Sequence, residues 1–254
     1  MLTAAVLAQA PNAASPAKLQ QAFLEAGRAY DQGRLDEAVS RYNDLMAQGY
    51  ESKELLFNLG NAYFRLGKTG LAVVNYRRAW RLAPRDPDVL ANLRFALQHS
   101  GGLAPTFAGP VAALLWLSLG QWVFAGTAAY WLASVSAALL MVLRTRRTLL
   151  LRAAIGFGLV LLVSVAGMLA WTDLYRRPEM VVIEPKQEAL FAPLAESTAH
   201  FAVPEGSIVR ALDRSGDWVK VASGRQAGWM RLSSCLAVWP RMGEKMLGPP
   251  TGVR

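Results

Sequence analysis

The run NLGNAYFRLGKTGLAVVNYRRAWRLAP, residues 58–84, places apolar and small residues at helical spacing and closes on a proline. Its turn pair Leu66-Gly67 splits it into two helical segments, and Pro84 stops the second because it has no N–H to donate. A shift of 34 residues superposes Ala26 on Gly60, Gly33 on Gly67, Ala38 on Ala72 and Tyr42 on Tyr76. The same shift superposes Asn58 on Asn92 and Leu59 on Leu93. Pro16–Gln98 therefore reads as a helical array with a fixed period, and such a period marks units that bury their apolar faces by stacking.

The residues at that period resemble the tetratricopeptide repeat. Leu59-Gly60, Tyr63, Leu66-Gly67, Ala72, Tyr76, Ala79 and Pro84 fall at the positions of that family. Gly60 and Ala72 let the two helices approach, and Tyr63 and Tyr76 fill the space around their contact. The first repeat departs at Tyr30, one place later in register than Tyr63, and Pro87–Gln98 matches only a first helix, which reads as a cap. The resemblance implies a concave face built by first helices. Phe23, Tyr30, Asn61, Phe64 and Arg65 are its outward positions, with Phe95 on the cap. Aromatic and amide groups on such a face can hold a peptide. Phe23 and Phe95 can equally serve as core between repeats.

Downstream, 16–101 gives way to a Gly- and Pro-rich linker, 102–110, and then to apolar sequence. No Asp, Glu, Lys or Arg occurs between Arg94 and Arg144, nor from Ala153 to Thr172. Val111–Leu143 exceeds the roughly 20 residues that span a bilayer core. It divides either at Gly120-Gln121, into an interfacial helix Val111–Leu119 and a span Gln121–Leu143, or not at all, as one long tilted helix. Trp116 and Trp122 would then sit at headgroup level. The second span is Ala153–Thr172, so 111–175 is a transmembrane hairpin with a loop at Arg144–Thr148. Arg144, Arg146, Arg147 and Arg152 make that end the cytoplasmic one, with both soluble parts outside.

After Pro178 the period changes to two. Met180–Ile183, Ile208–Leu212, Trp218–Val221 and Gly228–Met230 read as strands, separated by Pro204-Glu205-Gly206, Arg214–Asp217 and Ser223–Arg225. Within Glu184–Val238 the runs Val203-Pro204-Glu205-Gly206, Gly216-Asp217-Trp218-Val219-Lys220-Val221 and Gly228-Trp229 resemble bacterial SH3 domains, although the first loop element of that family is missing. A small all-β SH3-like barrel is expected at 178–240, and its position beyond the hairpin predicts a body independent of the repeats. Trp218 and Trp229 are its candidate ligand surface, or else the packing of its small core. The ends, 1–15 and 241–254, read as tails; Ala8-Gln9-Ala10 leaves open a signal-peptide remnant.

Composition removes other chemistries. Hydrophobic residues make up 53% of the 254 residues and charged residues 18%, against about 45–50% and about 25% in soluble domains. One cysteine, Cys235, and two distant histidines, His99 and His200, predict no disulfide, no metal site and no cofactor. No catalytic residues are expected, since no nucleophile or phosphate-binding motif occurs. The net charge of +9 is spread as 12 basic against 9 acidic residues in 1–110, 4 against 1 in 111–173 and 11 against 8 in 174–254. Without a dense basic stripe, no nucleic-acid partner is expected.

Taken in order, a tetratricopeptide unit, a membrane hairpin and an SH3-like domain resemble the BatE-type proteins of aerotolerance operons over Lys18–Val238. That resemblance implies a multi-pass protein of the bacterial cytoplasmic membrane with extracytoplasmic domains. It implies a non-enzymatic scaffold that binds von Willebrand A-domain membrane proteins beside a MoxR-type ATPase. The alternative is an envelope sensor whose SH3-like domain binds peptidoglycan or a wall peptide.

Overall fold

The computed structural model describes residues 16–104, 110–142, 144–176 and 179–238. The two tails and part of the linker, 105–109, lie outside the described residues. The chain combines helices with one antiparallel sheet, and it divides into two units. One comprises 16–104 and 179–238; the other is the apolar helical segment between them.

In the first unit, α1 (Pro16–Asp31) pairs with α2 (Leu35–Ala47), and α3 (Lys53–Arg65) with α4 (Thr69–Leu82); α5 (Pro87–Ser100) follows. The starts of α2 and α4 are 34 residues apart, as are those of α3 and α5. Gly33 and Gly67 occupy the same place in the two pair turns, with φ of 76° and 74°, a region that side chains with a Cβ disfavour. Their N–H groups donate to Tyr30 and Phe64 carbonyls, so one turn is built twice. Asp86 caps α5 by accepting from the N–H groups of Asp88 and Val89, and Pro87 opens the helix where an N–H has no partner to lose.

The strands are β1 (Glu179–Val182), β2 (Gln187–Leu190), β3 (Ala199–Val203), β4 (Ile208–Ser215), β5 (Trp218–Ser223), β6 (Gln226–Arg231) and β7 (Cys235–Ala237). They form one sheet in the order β3-β2-β6-β5-β4-β1-β7, antiparallel throughout; it is open and not the expected closed barrel, because the edge strands β3 and β7 do not pair with each other. Two-residue loops, Gly216-Asp217 and Gly224-Arg225, join β4 to β5 and β5 to β6, as the turn residues predict. The sequence pattern misses β2, β3 and β7. β2 and β7 are only four and three residues long, and β3 (AHFAV) carries no clean alternation. The core gathers Met180, Val182, Val203, Val209, Val219, Val221, Met230 and Cys235.

The predicted independence of repeats and sheet does not hold, because the sheet docks on α4. Every residue of α4 from Thr69 to Arg81 is buried, three arginines included. Arg77 grips the buried Glu179 with two hydrogen bonds, Nε to Oε2 at 3.0 Å and Nη2 to Oε1 at 2.9 Å. Arg81 adds a third at 3.3 Å. Arg78 donates to the carbonyls of Val238 (2.8 Å) and Ala237 (2.9 Å), so the free edge of β7 is closed by a guanidinium fork. At the start of α4, the Gly70 N–H donates to Glu205 at 2.6 Å. A Cβ there would lie 2.7 Å from the Ile183 backbone, so only glycine allows this approach. Leu103 joins the same body: its carbonyl accepts from Ile208 N–H at 2.6 Å and its N–H donates to Ser207 at 3.1 Å.

The second unit contains α6 (Pro110–Leu114), α7 (Leu119–Val142), a 3-10 turn at Arg144–Arg146 and α8 (Arg147–Arg176). Two of its helices are long and apolar enough to cross a membrane, Leu119–Val142 and Arg147–Asp173. The break falls at Leu115–Ser118 and not at Gly120-Gln121. Ser118 supplies the reason, because its N–H donates to the Gln121 amide oxygen while its hydroxyl accepts from Gln121 N–H, a reciprocal cap. The loop is also tighter than predicted, since Arg147 and Thr148 already belong to α8. The break leaves carbonyls without helical partners, and two indoles meet them. Trp122 donates to Leu114 at 2.7 Å and Trp171 to Leu117 at 2.8 Å. Trp122 is buried against Gly167 of α8, where a Cβ would strike the ring; Trp116 stays exposed.

Candidate functional site on the first helices

Three of the helices, α1, α3 and α5, bring their outward residues together. The Arg65 guanidinium lies over the Tyr30 ring, 4.7 Å from its centroid, and donates to the Tyr30 carbonyl at 3.2 Å. Phe64 packs against Phe95 and His99, each with ring centroids 5.4 Å away. Phe95 is 56% exposed, so it is not core between repeats but an aromatic surface. Asn61 is half-buried; its Oδ1 accepts from the Tyr76 hydroxyl at 2.7 Å and from Asn92 at 3.5 Å. Burial raises the Tyr76 hydroxyl well above its ordinary range, so it remains a donor. That contact holds the Asn61 amide with its N–H groups turned away from Tyr76.

Phe23 lies apart from these contacts. Its ring packs on Tyr42 of α2 at 5.9 Å and on Tyr50, just beyond that helix, at 6.5 Å. Two face residues, Asn92 and His99, escape the sequence reading. The 34-residue shift carries Asn61 onto Phe95 and Arg65 onto His99, so the period itself held the signal for His99.

On the sheet, Trp218 and Trp229 lie on the face opposite the core residues Val219, Val221 and Met230. They are half-buried and do not pack the core. Each faces a cation across the strands: Arg231 lies 5.3 Å from the Trp218 centroid, and Lys220 lies 6.0 Å from that of Trp229. Glu205 and Cys235 have structural places, at the Gly70 contact and in the core. Burial pushes the Cys235 thiol up to about 12. Among the described residues, no three His, Cys, Asp or Glu side chains gather as metal ligands. Comparison with protein-family models and with curated proteins gives no match to this chain.

Proposed function

We propose that this chain is a non-enzymatic, membrane-anchored scaffold of the BatE type, which holds a protein partner on the α1–α3–α5 face. In this reading α1–α5 are tetratricopeptide repeats with a cap, and the sheet is an SH3-like domain. The partners are von Willebrand A-domain membrane proteins working with a MoxR-type ATPase. The observation that carries the reading is the convergence of Tyr30, Asn61, Phe64, Arg65, Phe95 and His99 on one face, with Phe95 and Arg65 exposed. Exposed rings give a partner apolar area, Arg65 can pair with a carboxylate, and Asn61 can donate to an extended backbone.

Replacing Asn61, Phe64 and Arg65 together by alanine is expected to lower capture of a von Willebrand A domain at least about 100-fold, about 2.8 kcal/mol. Helicity should persist, since alanine favours helix. Pull-down with the purified full-length variant measures the first and circular dichroism the second. Unchanged capture would remove this face from the reading.

The same proposal places the protein in the bacterial cytoplasmic membrane with the arginine turn inside. Single cysteines at Thr145 and Ser215 test it with an impermeant thiol reagent on cells freed of outer barriers. Ser215→Cys should label and Thr145→Cys should not. The buried Cys235, replaced by serine, gives no competing signal. Labelling at position 145 alone reverses the orientation.

A second reading, an envelope sensor that binds peptidoglycan or a wall peptide, is favoured by one observation. Trp218 and Trp229 face away from the sheet core beside Lys220 and Arg231. Loss of capture on Trp218→Ala and Trp229→Ala, with the triple alanine variant still active, would make this the better reading.

A further inference from the structure

Helix α4 is held on two sides by chemistry of different kinds. Toward α3, the Tyr76 ring rests on Gly60, and its hydroxyl donates to Asn61 at 2.7 Å. Toward the sheet, the very next residue, Arg77, forks onto Glu179, with Arg81 on the same carboxylate and Arg78 on the β7 carbonyls. Adjacent helical residues point about 100° apart, so Tyr76 and Arg77 tie two different neighbours to one helix. Glu179 is 1% exposed. Its position is therefore fixed by packing as well as by the two guanidiniums.

We infer that the sheet is a working part of the partner face: Glu179 sets α4, and α4 sets Asn61 through Tyr76. Glu179 and Tyr76 are positioning residues that touch no partner. This inference rests on reading the α1–α3–α5 face as the binding site. Asn61 would present its N–H donors in one orientation only while Tyr76 occupies its oxygen, and Tyr76 keeps that place only while α4 is seated on the sheet. Removing the sheet should therefore impair binding although the contacts that build the face lie within the helices.

The test uses the full chain in detergent, as wild type, Tyr76→Phe, Glu179→Gln and the double variant. The probe is an isolated von Willebrand A domain, and amide hydrogen exchange is followed in parallel. Tyr76→Phe should lower capture about tenfold and speed exchange in α3 and α5, with α4 and β1 unchanged. Glu179→Gln should lower capture to a similar extent and speed exchange in α3 and α5 as well as in α4 and β1. The double variant should be no worse than the weaker single one, because both act through one contact. Exchange changes confined to α4 and β1 would overturn the inference, as would capture losses that multiply in the double variant. If the wild type captures no such domain, the partner reading fails, and the exchange pattern still decides whether Glu179 governs α3. Should Glu179→Gln not fold, Glu205→Ala, which removes the acceptor of the Gly70 N–H at the start of α4, takes its place with the same expected pattern.

Discussion

Glu179→Ala is expected to destabilise the unit of helices and sheet by about 3–5 kcal/mol, the range for breaking a buried ion pair from one side. Arg77 and Arg81 are 7% and 1% exposed at their side chains. Without the carboxylate, two guanidiniums in a dry contact lose the acceptor they share. Denaturant titration followed by circular dichroism measures the loss. A companion variant, Arg77→Met with Arg81→Met and Glu179→Leu, should recover most of it, because an apolar replacement of the whole network removes the desolvation cost along with the attraction. If Glu179→Ala unfolds together with the wild type, the network is not buried as described.

The same carboxylate gives a pH dependence whose sign follows from its surroundings. Burial pushes Glu179 up, but the Arg77 and Arg81 guanidiniums outweigh it and hold the group below the ordinary 4.5. A lowered folded value means that the stabilisation is complete above the unfolded value and is lost as pH falls through the folded one. The wild type should therefore lose stability on acidification below about pH 4.5 more steeply than Glu179→Gln, which has no proton to take up.

Gly60→Leu is the second large effect, with an expected cost at or above the upper end of the roughly 1–3 kcal/mol typical of overpacking. A Cβ at Gly60 would stand 2.7 Å from Cε1 of Tyr76 and 2.8 Å from its Cδ1. The ring has little room to retreat. Its hydroxyl is held by Asn61, and its helix is backed by the sheet. Gly60→Ala meets the same ring but gains up to about 1 kcal/mol of helix propensity, so its melt should fall between the two. Thermal melts of the full chain by circular dichroism decide the matter; coincident curves for glycine and leucine at position 60 would mean that the close contact does not exist.

Much of this protein was legible from residue order alone, and the reason is that local signals carried it. The helix starts of α2 and α4, and of α3 and α5, recur at the period read from Gly33, Gly67, Tyr42 and Tyr76, and both helix pairs turn on the same glycine. The long uncharged runs announced α7 and α8, since length and apolarity are properties of the segment itself. The hairpin loops at Gly216 and Gly224 follow from turn chemistry. Even the misplaced break before α7 had a local sign in Ser118 and Gln121, three residues apart. In the candidate site, Asn61, Phe64 and Arg65 were legible as neighbours on one helix. His99 was hidden by the glycines after it, which suggested a linker.

The docking of the sheet on α4 belongs to the other category. Nothing near Arg77, Arg78 or Arg81 marks them as buried, and three arginines on one helix read locally as a solvated face. Glu179, the partner of Arg77 and Arg81, is 102 residues from Arg77, and the carbonyls that Arg78 meets are farther still, all beyond the apolar helices. A charge can be buried only where its counter-charge and hydrogen-bond acceptors arrive in the right geometry, and that arrival is a property of the folded chain. The sequence by itself determined the helices, four of the seven strands and the apolar spans, while the tertiary structure alone decided that helices and sheet are one body, because the contacts that join them are long-range, largely charged and unmarked by any period.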